Sequence, residues 1–299
     1  MKTICQSIVL PMLLICTTLS GAALPDIRSV ESDLLLPKLN EGAPVAGKRV
    51  KETLPAWRDS AVYHVIYLPT DWQPGRRYPV LVEFAGNGGY TNRYGDISLG
   101  TPEGSNFGYG ISGGKGFIWI CVPYLGNEGT NNVIKWWGDA PQYNPQPTID
   151  YCKAAVQWVC REYGGDQENV ILCGFSRGAI ACNFVGLHDD EIAKLWKAFI
   201  AYSHYDGVIV GWPYPGADRQ SARKRLNRLR GRPQFICGEG NNADGTRNYL
   251  RDSGAAGDFT YAGTGFRNHN DAWVLRPSET RVRLRSWLRR IVFDDSLEQ

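Results

Sequence analysis

A Gly-x-Ser-x-Gly pentapeptide restricts the fold more than any other feature of this sequence. Apolar residues 170–173 lead into the pentapeptide 174–178, and small, then apolar, residues follow it. This order predicts a buried strand, a sharp turn and a helix, which is the context of a nucleophile elbow. Glycine on both sides of the serine tolerates close backbone approach and unusual backbone angles. The pattern predicts that Ser176 stands at the carboxyl end of a sheet as a candidate nucleophile.

The first 22 residues have the composition of an export signal. Lys2 is the only charged residue before Asp26, residues 8–18 are mostly apolar, and small residues at 20–22 suit cleavage. The apolar run is short for a bilayer span, and no later stretch is apolar for long enough. We therefore expect a secreted or periplasmic protein without a membrane span.

Strand and helix patterns alternate through the rest of the chain. Apolar runs typical of strands occur at 62–69, 78–84, 117–123, 197–203, 233–238 and 259–262. Helical periodicity covers 148–163 and 279–292. Alternation of this kind predicts an α/β fold with a mostly parallel sheet and helices on both faces. We expect one domain over 58–293, with 23–57 as a lead-in, 207–230 as a small cap insertion and 294–299 as a tail.

Charge and cysteine content argue against two classes of partner. The formal net charge of +3 is too small to indicate a nucleic-acid partner. Six cysteines follow residue 22, mostly in strand-like runs or on a predicted helix, where buried thiols are common. A bridge from Cys152 or Cys160 to Cys182 remains open. No cysteine spacing matches a zinc site, so we expect no metal.

A nucleophilic serine needs a base, and the chain has four histidines. His188 lies 12 residues after Ser176, about 18 Å away at the rise of a helix, so it cannot reach the serine. His64 lies in the first strand-like run, before the sheet core. His204 and His269 each follow a predicted strand. The residues alone leave the base open between these two histidines.

Four stretches carry a resemblance to a known family: residues 67–69, residues 78–83, the pentapeptide 174–178 and the loop around His269. Over residues 62–292 the chain resembles the α/β-hydrolases, most of all the secreted esterase branch that includes feruloyl esterases and polyhydroxyalkanoate depolymerases. The resemblance implies the α/β-hydrolase fold. It also implies hydrolysis of a small-molecule or polysaccharide ester through an acyl-enzyme, with no metal or organic cofactor.

The resemblance further implies a role for individual residues. The family order of serine, acid and histidine places the base at His269. The acid commonly follows the penultimate strand, where we favour Asp244 and keep Glu239 as the alternative in the same loop. Asp206, after the preceding strand, is a third candidate.

Backbone N–H groups are expected to form the oxyanion hole. The residue after the nucleophile, Arg177, would supply one, and the loop after strand 78–84 would supply the other. Many family members have His-Gly in that loop, whereas this chain has Ala85-Gly86. The second donor is therefore open between Gly86 and Asn87.

Aromatic residues in loops near the expected active face are candidates for substrate binding. We predict this role for Trp136, Trp137 and Trp212, which could stack on sugar rings, and for His204. Two other functions stay open at this point. One is a serine peptidase of the same fold, and the other is a non-catalytic binding protein on a hydrolase scaffold.

Overall fold

A computed structural model describes residues 23–293. The predicted export signal (1–22) and the predicted tail (294–299) lie outside the described residues. The strands are β1 (Leu39–Asn40), β2 (Arg49–Glu52), β3 (His64–Tyr67), β4 (Tyr78–Phe84), β5 (Tyr90–Thr91), β6 (Ile97–Ser98), β7 (Ile118–Val122), β8 (Tyr124–Leu125), β9 (Asn132–Val133), β10 (Gly165–Phe175), β11 (Ala198–Tyr202), β12 (Gly231–Gly238) and β13 (Gly257–Gly263).

The helices are α1 (Phe107–Ser112), α2 (Gln146–Glu162), α3 (Arg177–Phe184), α4 (Asp190–Ala193), α5 (Arg219–Leu226), α6 (Asp244–Ser253) and α7 (Glu279–Phe293). Short 3-10 helices occur at Ile27–Ser29, Pro55–Trp57, Pro102–Gly104, Asn227–Leu229 and Asp271–Leu275.

Within residues 23–293, nine strands form one sheet in the order β1-β2-β3-β7-β4-β10-β11-β12-β13. Strands β7, β4, β10, β11, β12 and β13 run parallel to one another, and β3 is antiparallel to both β2 and β7. The sheet is therefore mostly parallel, and the predicted fold class is confirmed. The carboxyl ends of β10 to β13 lie side by side at one edge, which brings the loops after them together.

Apolar residues fill both faces of this sheet. Along β4, Val80 and Val82 face one core and Leu81 faces the other, as the two-residue repeat of a strand requires. Helices α2 and α3 pack into the first core, and α1 and α7 pack into the second. Strands covered on both faces become continuous apolar runs, which explains why the sequence pattern identified them.

The fold differs from the sequence prediction at the predicted lead-in. Strands β1 and β2 lie within residues 23–57, and β2 pairs with β3. The predicted domain boundary at residue 58 is therefore wrong, because the sheet begins upstream of it. Strand β2 is short and polar (Arg-Val-Lys-Glu), and such a segment has no apolar pattern to detect.

Three further features complete the comparison with the prediction. The segment 207–230 contains α5 and the 3-10 helix Asn227–Leu229, and α5 contacts α3. All six cysteines in the described range are free, so the bridge to Cys182 is not formed. No helix between residues 23 and 293 combines the length and apolar character that a bilayer span needs.

The start of the described chain lies against the loop before α7. The backbone N–H of Ile27 donates to Asn268 Oδ1 at 2.8 Å, across a separation of 241 positions. The N–H of Arg267 donates to the carbonyl oxygen of Pro25 at 3.1 Å, and its guanidinium lies 2.9 Å from Asp26. Residues 25–27 therefore support the loop that carries His269.

Candidate active site

Ser176 occupies the turn between β10 and α3 in a strained backbone conformation. Its φ of 55° and ψ of −114° are outside the regions that most residues with a side chain adopt. A Cβ at Gly174 would collide with the backbone of Gly178, and one at Gly178 would overlap the carbonyl oxygen of Phe84. Glycine at both positions therefore permits the close packing of α3 on β10 and β4. The turn has the geometry of a nucleophile elbow, with the Ser176 side chain at its tip.

His269 follows β13 and contacts the serine directly. Its Nε2 lies 3.0 Å from Ser176 Oγ. The imidazole packs against the ring of Phe175 at 4.7 Å and against the ring of Tyr90 at 5.0 Å between centroids. Its side chain is 16% exposed. The histidine predicted as the base thus lies at hydrogen-bond distance from the predicted nucleophile.

Glu239 follows β12 and contacts the other ring nitrogen. Its Oε1 lies 2.5 Å from His269 Nδ1, and Ser203 Oγ, at the end of β11, lies 3.0 Å from the same nitrogen. Burial opposes ionisation of Glu239, but the hydrogen bond and charge of His269 outweigh it, and with the Ser203 hydroxyl they lower the pKa of this carboxyl below its ordinary value. A carboxylate can only accept hydrogen bonds, so Nδ1 carries the proton and Nε2 is left to accept from Ser176.

The structure places Asp244, our favoured acid, away from His269. Asp244 is the first residue of α6, its side chain is 54% exposed, and it lies 3.7 Å from Arg247 one turn later. The chain turns sharply at Gly240, whose N–H bonds to the carbonyl oxygen of Phe266. The acid position therefore falls directly after β12, and Glu239 occupies it.

Asp206, the third candidate acid, is engaged elsewhere. Its buried carboxylate accepts two hydrogen bonds from Arg225, at 2.7 and 3.0 Å. This ion pair links the end of β11 to α5. Asp206 thus anchors the segment 207–230 and leaves the histidine to Glu239.

The predicted oxyanion donors lie on both sides of the elbow. The N–H of Arg177, the first residue of α3, has no partner within its helix. Within residues 23–293, no backbone oxygen accepts from the N–H of Gly86 or Asn87. A Cβ at Gly86 would lie 3.0 Å from the Phe175 ring, so this loop runs close to the elbow.

The Arg177 side chain has a structural role that the sequence did not indicate. Its buried guanidinium donates to the carbonyl oxygens of Gly86, Gly100 and Trp136 at 2.7 to 3.1 Å. It also lies 3.7 Å above the ring of Tyr124. Burial lowers the pKa of Arg177 to about 10, partly offset by Tyr124. One side chain therefore ties three loops to the elbow.

Comparison with known proteins gives the fold. No family model matches the sequence, and no curated protein is significantly similar to it. Solved structures do match. A Bacteroides ovatus protein described as a dipeptidyl aminopeptidase IV superposes with a TM-score of 0.56 at 14% identity, over 81% of this chain. A ferulic acid esterase gives 0.51 at 15% identity over 82% of this chain and 97% of its own.

A fungal esterase from Rhizomucor miehei gives a TM-score of 0.51 at 15% identity, over 82% of this chain and 83% of its own. The chain spans 36% of the length of the Bacteroides protein. The neighbours match the arrangement of the sheet and helices over about four fifths of this chain. The chain has the α/β-hydrolase fold.

On this α/β-hydrolase fold, aromatic rings extend from His269 in a continuous row. The ring of His204 lies 5.3 Å from His269 and 5.9 Å from Trp212, and Trp212 lies 5.0 Å from Trp136. The backbone of Trp136 is in turn bonded to the predicted oxyanion residues. Its backbone N–H donates to Asn87 Oδ1, and its carbonyl oxygen accepts from the Arg177 guanidinium. Burial, reinforced by His269, lowers the pKa of His204 and favours its neutral form.

Trp137 does not belong to this row, and its predicted role in substrate binding is wrong. Its side chain is fully buried and stacks on Phe184 at 4.3 Å. Trp136 has a φ of 51°, and the planes of the two neighbouring indoles differ by 76°. Only the first of the pair remains accessible.

Three functional candidates escaped the sequence analysis: Ser203, the Arg177 guanidinium and Asp96, which contacts the His269 loop. A serine directly after a parallel strand is a signal that could have drawn attention to Ser203. Neither the guanidinium contacts nor Asp96 has a local signal, because their partners lie far away in sequence. Among residues 23–293, no group of three or more His, Cys, Asp or Glu side chains is placed to hold a metal ion.

Proposed function

We propose that this protein is a serine hydrolase that cleaves carboxylic esters through an acyl-enzyme. The observation that carries the proposal is the hydrogen-bonded chain from Ser176 Oγ to His269 Nε2 (3.0 Å) and from His269 Nδ1 to Glu239 Oε1 (2.5 Å). Nucleophile, base and orienting acid in this arrangement are the parts of a catalytic triad.

In the acylation step, Ser176 Oγ attacks the carbonyl carbon of the ester as its proton passes to His269 Nε2. The oxygen that becomes negative faces the N–H groups of Arg177 and of Gly86 or Asn87. Collapse of this intermediate breaks the bond to the alcohol oxygen, which takes the proton from Nε2. The alcohol leaves, and the acyl group stays bound to Ser176.

Deacylation repeats these proton transfers with water. His269 Nε2 takes a proton from a water molecule as the water oxygen attacks the acyl carbon. The proton then returns to Ser176 Oγ, and the carboxylic acid leaves. Glu239 stabilises the imidazolium that forms in each step and keeps Nε2 directed at the serine.

The substrate class that we propose is an ester of an extracellular polysaccharide, such as an acylated plant polysaccharide. Support comes from the row of His204, Trp212 and Trp136 beside the triad, since flat rings of this kind stack on sugars and on aromatic acyl groups. The predicted export signal supports a secreted or periplasmic location. The substrate class and the location can each be tested independently of the ester hydrolysis itself.

Substrate assays with the purified protein test the reaction. We expect hydrolysis of p-nitrophenyl acetate or butyrate and release of acid from acetylated or feruloylated xylan. A fluorophosphonate probe should label the protein. Ser176→Ala should abolish both the ester hydrolysis and the labelling. Ser253→Ala is the matched control, because Ser253 only caps the end of α6 through the carbonyl oxygen of Leu250.

The alternatives predict different results in the same assays. A peptidase would cleave proline-containing dipeptide substrates faster than p-nitrophenyl esters and would release no acid from acetylated or feruloylated xylan. A binding protein on an inactive scaffold would neither turn over any substrate nor react with the probe. Either outcome would refute the esterase proposal.

A further inference from the structure

The loop that carries His269 is held by a buried carboxylate outside the triad. Asp96 lies between β5 and β6 and is 2% exposed. Its Oδ2 accepts a hydrogen bond from the backbone N–H of His269 at 3.0 Å. Its Oδ1 accepts from the side-chain amides of Asn268 at 2.9 Å and Asn270 at 3.4 Å. One carboxylate therefore contacts three consecutive residues, with the base in the middle.

Asp96 is itself fixed within its hairpin. Asn92 Nδ2 donates to Asp96 Oδ2 at 2.8 Å, and Asn92 Oδ1 accepts from the Asp96 N–H at 3.1 Å. The same hairpin places the ring of Tyr90 against the imidazole of His269. The hairpin thus contacts His269 in two places. Asp96 accepts from its backbone N–H, and Tyr90 packs against its imidazole.

The opposite side of the loop is held by Tyr202 at the end of β11. Its hydroxyl donates to the carbonyl oxygen of Asn268 at 3.0 Å and lies 3.4 Å from the N–H of Asn270. The loop is thus bonded on two sides, and among residues 23–293 only Asp96 accepts from the backbone N–H of His269. The imidazole is left free for Ser176 and Glu239.

We propose that Asp96 is a positioning residue for the general base. Its carboxylate holds residues 268–270 so that His269 Nε2 stays at hydrogen-bond distance from Ser176 Oγ. Asp96 is buried and its carboxylate bonds the backbone N–H of His269, away from the imidazole nitrogens, so it acts through His269. The inference rests on the proposed function, because it assumes that His269 is the general base of a hydrolase.

Asp96→Asn tests the inference at nearly constant volume. The amide directs N–H donors at groups that are donors themselves, so the loop loses acceptors that it needs. A base displaced by about 1 Å costs on the order of 10²-fold in rate. We expect kcat to fall by about that factor while KM stays within about threefold. Amide hydrogen exchange at residues 268–270 should become faster, and this readout requires no substrate.

Two comparisons separate positioning from general support of the fold. Asp71→Asn is the matched control, since Asp71 accepts from the N–H of Gly116 at 2.9 Å and shares no partner with the His269 loop. It should leave kcat within about twofold. In a His269→Ala background, Asp96→Asn should change the residual rate by less than about twofold, because the group through which it acts is gone.

The inference fails if Asp96→Asn keeps kcat within about threefold, or if its effect is undiminished in the His269→Ala background. If Asp96→Asn does not fold, Asn92→Ala removes one donor to the same carboxylate together with the acceptor of the Asp96 N–H. It should lower kcat about tenfold with faster exchange at 268–270. A folded Asn92→Ala protein with unchanged kcat and exchange would also overturn it. A wild-type protein inactive on every ester would instead refute the proposed function.

Discussion

Replacing Glu239 by glutamine tests the assignment of the acid. The change keeps the side-chain shape and removes the charge beside His269 Nδ1, where the two groups lie 2.5 Å apart. With charge centres about 4 Å apart and an effective dielectric constant near 20, the lost attraction to the imidazolium is about 4 kcal/mol. Such a loss corresponds to roughly 10³ in rate.

Solvent reduces this figure. The Glu239 side chain is 32% exposed, and water screens an exposed pair. We therefore expect Glu239→Gln to lower kcat by about 10² to 10³ with little change in KM, measured on p-nitrophenyl butyrate. A folded protein should be verified by its unfolding midpoint before the rates are compared.

Asp244→Asn is the control variant for Glu239→Gln. Asp244 lies on the exposed first turn of α6 beside Arg247, so its change should leave kcat within about twofold. If Asp244→Asn loses 10²-fold while Glu239→Gln keeps its activity, the observed contact between Glu239 and His269 is not the catalytic one. The acid would then be Asp244.

Two further predictions concern Ser203 and a buried carboxyl pair. Ser203 has a φ of 87°, a conformation that suits glycine, so Ser203→Gly should keep the unfolding midpoint. Because the variant lacks the hydroxyl beside Glu239 and His269, kcat should fall about tenfold. An unchanged kcat would exclude a role of the Ser203 hydroxyl in catalysis. Burial, reinforced by Asp271, raises the pKa of Glu83 from 4.5 to about 8, so the folded protein keeps a proton that the unfolded chain releases. The contribution of Glu83 to the free energy of unfolding should therefore fall between about pH 4.5 and 8, by up to about 1.4 kcal/mol per pH unit. Urea titrations in which Glu83→Gln leaves the pH dependence of stability unchanged would contradict this.

Patterns confined to one segment predicted the sheet well. The apolar run 78–84 predicted β4, and the run preceding Ser176 predicted the carboxyl-terminal part of β10, because strands covered by helices on both faces contain little else. The elbow was predictable for the same reason, since its two glycines and its serine are adjacent in the chain. The family resemblance then placed the base at His269, and the structure brings this histidine to the serine.

Features that depend on where a helix begins, or on distant contacts, were not predictable. Residues 239–245 contain glycine, asparagine and aspartate, and nothing in that composition shows that α6 starts at Asp244. The acid therefore depended on a helix boundary that the sequence leaves open. The contact between Asp96 and His269 spans 173 positions, and no local pattern can report such a distance.

The bonds of residues 25–27 to the loop before α7 make the candidate site sensitive to how the whole chain closes. Ile27 and Asn268 are separated by 241 positions, and contacts of such high sequence separation carry a large entropic cost of loop closure. Residues 25–27, near the start of the described chain, thus hold the loop that carries the candidate base. We therefore expect the rate of ester hydrolysis to depend on the contact between the two ends of the described chain as well as on the local geometry of the elbow.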